Sequence, residues 1–101
     1  MLPDNFLNSD TVATDVDVQS KKKLLENIAE MLSGQNPQLD VSEIFEKLIE
    51  RERLGSTGLG KGIALPHARV SNLQEAQAVF IRLNQGIDFD SIDRQPVDLV
   101  V

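Results

Sequence analysis

Arg51-Glu52-Arg53-Leu54-Gly55-Ser56-Thr57-Gly58-Leu59-Gly60-Lys61-Gly62-Ile63-Ala64-Leu65-Pro66-His67 is the stretch on which the reading of this chain turns. Its start closes a helical stripe: Val41, Ile44, Phe45, Leu48 and Ile49 recur at i, i+3, i+4 spacing after an N-cap candidate at Asp40 or Ser42. Four glycines then fall within residues 55–62. No helix or strand interior carries that many without cost, so a shaped loop is predicted. Ile63-Ala64-Leu65 reads as a short apolar strand, and Pro66 pushes Leu65 toward extended geometry just before His67.

Upstream, residues 11–18 alternate β-branched and polar types, as a strand with one buried face does. Ser20 can cap a helix with Leu24, Leu25, Ile28, Ala29 and Leu32 on one face, and Gly34 is placed to end it. Downstream, residues 76–83 form a nearly continuous apolar run, the pattern of a central buried strand. Gly86, Asp88-Phe89-Asp90 and Pro96 predict a long loop or hairpin, and Val97–Val101 begins another strand. Strand and helix patterns mixed in this way predict an α/β fold, and 101 residues with 41% hydrophobic content suffice for one domain with one core.

Composition removes several function classes. No cysteine is present, which excludes disulfides, thiolate metal sites and a cysteine nucleophile. One histidine cannot build a histidine-based metal site, and the carboxylates show no loop signature for a hard ion, so no metal is expected; the sequence offers no nucleotide site, and no cofactor is expected either. The net charge is −6, with no basic stripe and no Trp or Tyr to stack bases, so nucleic acid is not an expected partner. No stretch approaches the roughly 20 apolar residues needed to cross a bilayer. The start has no signal-peptide pattern, and a cytoplasmic protein without membrane insertion is expected.

The glycine-rich stretch admits three readings. Gly55 through Lys61 satisfies G-x-x-x-x-G-K, but Gly62 stands where a P-loop places its magnesium-binding hydroxyl, and the loop follows a helix instead of a strand. A second reading is structural, a turn that lets backbones approach, with His67 satisfied by its neighbours. The third is an anion site: successive backbone N–H groups with the hydroxyls of Ser56 and Thr57 form a nest beside an imidazole that can accept a phosphoryl group. Neither Ser56 nor Ser71 sits in a G-x-S-x-G elbow, which leaves a hydrolytic triad unsupported. Asp88, Asp90 and Asp93 read as turn-makers. Arg51 and Arg53, in the last turn of the second helix, complement its dipole.

Residues 51–67 as quoted resemble the active-site signature of the mannitol/fructose-type enzyme IIA domains of the bacterial sugar phosphotransferase system. Gly86-Ile87-Asp88-Phe89-Asp90-Ser91-Ile92-Asp93-Arg94-Gln95-Pro96-Val97-Asp98-Leu99 is similar to the following segment of the nitrogen-related subgroup. The resemblance covers about Leu7 to Val101, and it implies a mixed β-sheet flanked by helices. It implies a phosphocarrier in which His67 accepts a phosphoryl group on Nε2 from the phosphohistidine of HPr or its nitrogen-branch relative. Arg51 would then hold the phosphate, and Ser56, Thr57, Gly58, Gly60 and Gly62 would form the phosphate-binding loop. Nitrogen-related members regulate other proteins, potassium-transport and sensor systems among them; sugar-type members pass the phosphate to a transporter. An unphosphorylated interaction module is the more distant alternative. Lys61 and Ala68 depart from the uncharged polar residue and glycine expected there. Family domains continue beyond the Val97–Val101 strand, so the expectation is a domain lacking its C-terminal part, with a sheet edge open to self-association and a weakened activity.

Overall fold

The computed structural model describes residues 11–70 and 77–101. In chain order these form β1 (Val12–Val16), α1 (Lys21–Gln35), α2 (Val41–Leu54), β2 (Gly58–Gly60), β3 (Ile63–Ala64), β4 (Phe80–Ile87) and β5 (Val97–Val100). The strands make one mixed sheet in the order β1-β4-β5-β3-β2. β1 lies parallel to β4 and β3 parallel to β5, while the β4–β5 and β2–β3 pairs are antiparallel. This is the α/β fold that the sequence pattern predicted, with the mixed sheet and helices that the resemblance implied.

The helices form where the periodicity places them, because each has an apolar face to bury. Leu24, Leu25, Ile28 and Ala29 of α1 and Ile44 and Leu48 of α2 are buried with Ile81, Leu83, Val97 and Val100 of the sheet. Val41, read from sequence as part of the α2 stripe, sits exposed in its first turn. Ser20 caps α1 by accepting from Lys23 N at 3.1 Å, and Asp40, not Ser42, caps α2 by accepting from Ser42 N at 3.0 Å. Gly34 does not end α1. Asn36 does, because its side-chain amide and backbone N–H both donate to Leu32 O, at 3.0 and 3.1 Å, and Pro37 blocks a further turn.

Three strand boundaries differ from the expectation, each for a local reason. In β1, Asp15 adopts φ 54° and the pairing with β4 slips between Ala13 and Val16. That bulge changes the parity of the strand, so Val12 is exposed while Val18 is buried. The run predicted at 76–83 starts instead at Phe80 and continues through Gly86 to Ile87, which pairs with Val97; Ala76 lies outside the described residues. Gly86 is needed inside the strand, since a Cβ there would come within 2.7 Å of Pro96 Cβ. Finally, the glycine-rich segment is a β-hairpin and not a loop: Gly58 pairs with Ala64 and Gly60 with Ile63. Its turn residues Lys61 and Gly62 both have positive φ, 58° and 81°, as a tight primed hairpin turn requires.

Candidate functional site

Two connections bring Arg51 and His67 together. The last turn of α2 carries Arg51, and the β2–β3 hairpin returns the chain so that Pro66 and His67 follow β3 alongside that helix end. Arg51 Nε donates to His67 Nε2 at 3.3 Å, and Arg51 Nη1 donates to Gly55 O at 2.9 Å. Arg51 thus satisfies a carbonyl at the helix C-terminus, the dipole role read from sequence, and also reaches the imidazole. Arg53, in the same turn, is exposed.

The partners of the imidazole fix its tautomer. His67 Nδ1 lies 3.0 Å from Leu65 O, which can only accept, so Nδ1 carries the hydrogen. Arg51 Nε can only donate, so Nε2 presents its lone pair. The histidine is exposed and borders two openings. One is a shallow groove lined by Lys47, Glu50, Arg51, Leu54, Ala68 and Arg69. The other is an apolar cleft of about 280 Å3 between α1, α2 and residues 65–70. Within the groove Glu50 pairs with Lys47 at 3.7 Å, leaving Arg51 and Arg69 to set a positive field beside the ring in an otherwise acidic chain. Lys47 and Arg69 were not singled out from sequence. Arg69 stands two residues beyond His67, the one hint available, and Lys47 gives none because its relation to the histidine is purely spatial.

The hairpin residues read as a phosphate-binding loop have other partners here. Ser56 Oγ donates to Phe89 O at 2.7 Å and accepts from Gly58 N at 3.0 Å. Thr57 is buried, and its hydroxyl and its N–H both donate to the Glu52 carboxylate. Gly58 lies against Ser91, where a Cβ would meet Ser91 Oγ at 2.2 Å. Gly60 lies against Asp93, and Gly62 O accepts from the backbone N–H groups of Asp98 and Leu99. The anion beside the hairpin turn is supplied by the chain itself: Asp93 Oδ2 accepts from Lys61 N at 2.9 Å and Oδ1 from Gln95 N at 3.0 Å. Those backbone N–H groups, Lys61 first, hold the Asp93 carboxyl below its ordinary range. Asp93 is therefore a turn-maker, as read from sequence, and also a clamp on the hairpin. Asp90 makes a 3.6 Å ion pair with Lys21, and Asp88 accepts from Asp90 N at 3.0 Å.

Glu52 is the residue that sequence reasoning passed over. Its side chain is only 5% exposed and also accepts from Lys21 Nζ at 3.0 Å. Lys21 stands 4.6 Å from the centre of the buried Phe89 ring. Among the described residues no group of acidic or histidine side chains could hold a metal ion, and no helix is long and apolar enough to cross a membrane.

Comparison with known proteins gives this geometry a context. The family described as "Phosphoenolpyruvate-dependent sugar phosphotransferase system, EIIA 2" matches residues 5–101. A nitrogen regulatory protein of Pseudomonas aeruginosa is 47% identical over 81 residues, 80% of this chain and 53% of that protein. The crystal structure of the nitrogen regulatory protein IIA-Ntr from Neisseria meningitidis superposes with a TM-score of 0.89 at 39% identity, covering 94% of this chain and 64% of that one. The crystal structure of IIA mannitol from Escherichia coli superposes with a TM-score of 0.77 at 21% identity, covering 93% and 67%, and shares the fold. The chain thus spans a little over half the length of the Pseudomonas relative.

Proposed function

Because this chain belongs to the phosphoenolpyruvate-dependent sugar phosphotransferase system EIIA 2 family, we propose that it is a phosphocarrier whose acceptor is His67. The donor is the phosphohistidine of HPr or of an HPr-like nitrogen-branch protein. The output is regulatory, a reading supported by the likeness to nitrogen regulatory proteins. A cytoplasmic location goes with such a donor.

The observation that carries the proposal is the oriented imidazole of an exposed histidine: Nδ1–H on the Leu65 carbonyl and the Nε2 lone pair facing a guanidinium. A neutral imidazole with its hydrogen on Nδ1 carries a nucleophilic lone pair on Nε2. Arg51 first yields the lone pair. Nε2 then attacks phosphorus in line, the N–P bond of the donor breaks, and its electron pair returns to the donor's ring nitrogen. The product ring keeps its Nδ1–H and gains positive character, which the Leu65 carbonyl dipole offsets. Arg51 turns from the ring nitrogen to the phosphoryl oxygens, with Arg69 nearby, and stabilises charge where it accumulates. Exchange between two imidazoles is nearly balanced in bond energy, so positioning is the main task. Ser56, Thr57, Gly58, Gly60 and Gly62 shape the hairpin that performs it.

The test is to incubate the chain with phosphoenolpyruvate, the general phosphotransferase enzyme and HPr or its nitrogen-branch counterpart, and record intact mass. The expected result is an acid-labile phosphoryl adduct that His67→Ala lacks. Failure of the wild-type chain to take up phosphate from either donor would overturn the proposal, and faster uptake from the nitrogen-branch donor is expected over HPr.

A further inference from the structure

We propose that Glu52 is a positioning residue for His67, acting through Thr57 and the β2–β3 hairpin; the inference rests on His67 being the phosphoryl acceptor. A carboxylate is misplaced at Glu52 by two ordinary criteria. It stands in the last turn of α2, where the helix dipole disfavours negative charge, and it is almost fully buried, where an anion is costly unless donors surround it. Three donors do surround it: Thr57 N at 3.1 Å, the Thr57 hydroxyl, and Lys21 Nζ at 3.0 Å. Such an arrangement costs more than an apolar residue in the same place, which points to a geometric task.

The contacts trace that task. Glu52 holds both the N–H and the hydroxyl of Thr57, so the position of this residue against the helix end is set. Thr57 O accepts from Leu65 N at 3.0 Å, and this bond fixes the segment leaving β3. Leu65 O accepts from His67 Nδ1 at 3.0 Å, and His67 Nε2 accepts from Arg51 Nε at 3.3 Å. Arg51 and Glu52 are consecutive in one helical turn, so the circuit closes on itself. Successive helical residues point about 100° apart, which lets one turn grip the hairpin on one side and the imidazole on the other. Arg51 acts on the reacting nitrogen directly. Glu52 acts on the opposite nitrogen, through two backbone carbonyls, and so keeps the hydrogen on Nδ1 and the lone pair on Nε2.

Glu52→Gln tests this with the shape of the side chain retained, and Thr57→Val removes the hydroxyl while keeping the N–H. Two readouts are needed: the ring nitrogen and hydrogen NMR signals of His67 in the neutral form, and the rate of phosphoryl uptake from phosphorylated HPr. For the wild-type chain the expected spectrum is a single Nδ1–H tautomer. For Glu52→Gln it is a mixture of tautomers, with uptake slower by about tenfold. Thr57→Val should shift both readouts in the same direction, and Thr57→Ser, which returns the hydroxyl, should restore the single tautomer. A folded Glu52→Gln or Thr57→Val chain that keeps one Nδ1–H tautomer and the wild-type rate, with only its melting temperature lowered, overturns the proposal. Should Glu52→Gln fail to fold, the Thr57 pair decides. The tautomer spectra need no phosphate: if the wild-type chain takes up none, the phosphocarrier reading falls while the spectra still decide the positioning role.

Discussion

Arg51 Nε donates to His67 Nε2 across 3.3 Å, so Nε2 is the ring nitrogen without a hydrogen. The guanidinium is tethered at its other end to Gly55 O at 2.9 Å, which keeps it beside the ring whether or not it occupies the lone pair. Two substitutions separate the tether from the charge. Arg51→Lys keeps a cation but cannot bridge Gly55 O and the imidazole in one plane, and Arg51→Ala removes both contacts. Phosphoryl uptake measured by rapid quench should fall by roughly 10²-fold in Arg51→Ala and by less in Arg51→Lys. An unchanged rate in Arg51→Ala would remove Arg51 from the chemistry and leave it as a helix-end residue.

Gly58 is fixed by sterics. A Cβ there would lie 2.2 Å from Ser91 Oγ and 3.0 Å from Ser91 Cα, and a rotation of the serine side chain relieves only the first contact. Ser91 Oγ is itself buried with no hydrogen-bond partner among the described residues, so it has little to lose by moving. Gly58→Ala should destabilise the chain by about 2 kcal/mol in urea unfolding, and Gly58→Ala with Ser91→Ala by less. Equal losses for the two would show that the decisive clash is not with the serine hydroxyl.

Lys61 occupies a left-handed conformation, φ 58°, at the turn of the β2–β3 hairpin. Asparagine tolerates that region better than lysine, which gives a physical reason for an uncharged polar residue to be expected there. Lys61→Asn should raise stability by about 0.5 kcal/mol, read from the midpoint of thermal unfolding, while leaving phosphoryl uptake unchanged. A lowered midpoint would mean that the lysine side chain makes a contribution of its own.

The Asp93 carboxyl is held below its ordinary range by the N–H groups of Lys61 and Gln95. A depressed folded-state pKa contributes stability that is present above the unfolded value and is lost as pH falls through the folded value. The hairpin turn should therefore loosen only in acid, below the usual aspartate titration. The Lys61 amide resonance should follow the Asp93 carboxyl in an NMR titration, and in Asp93→Asn that acid-dependent movement should disappear. A Lys61 amide that titrates unchanged in Asp93→Asn would contradict the clamp.

Much of the architecture was legible in the chain, because helices announce themselves through periodicity and caps. Leu24, Leu25, Ile28 and Ala29 could face the core in one way only. The hairpin was not legible, since Gly58 and Gly60 have poor strand propensity and are required by the close approach of Ser91 and Asp93. The bulge at Asp15 was hidden for a similar reason: a parity change leaves the polar and apolar letters of β1 untouched. At the site, His67 stood out by residue type and neighbourhood, whereas Arg51 read as a helix-dipole residue and was singled out only through the family resemblance. Glu52 did not, because its chief partners are Thr57, reached partly through a backbone N–H, and Lys21, which belongs to the start of another helix.

The central claim is that Nε2 of His67 is the phosphoryl acceptor, because Nδ1 is occupied by the Leu65 carbonyl. The most direct measurement is a two-dimensional hydrogen–nitrogen NMR spectrum of the ring-labelled chain after phosphorylation by phosphoenolpyruvate, the general phosphotransferase enzyme and HPr. Phosphorus coupling at Nε2 of His67, with Nδ1 still protonated, is the expected result. Coupling at Nδ1, or phosphate on any other residue, would contradict it.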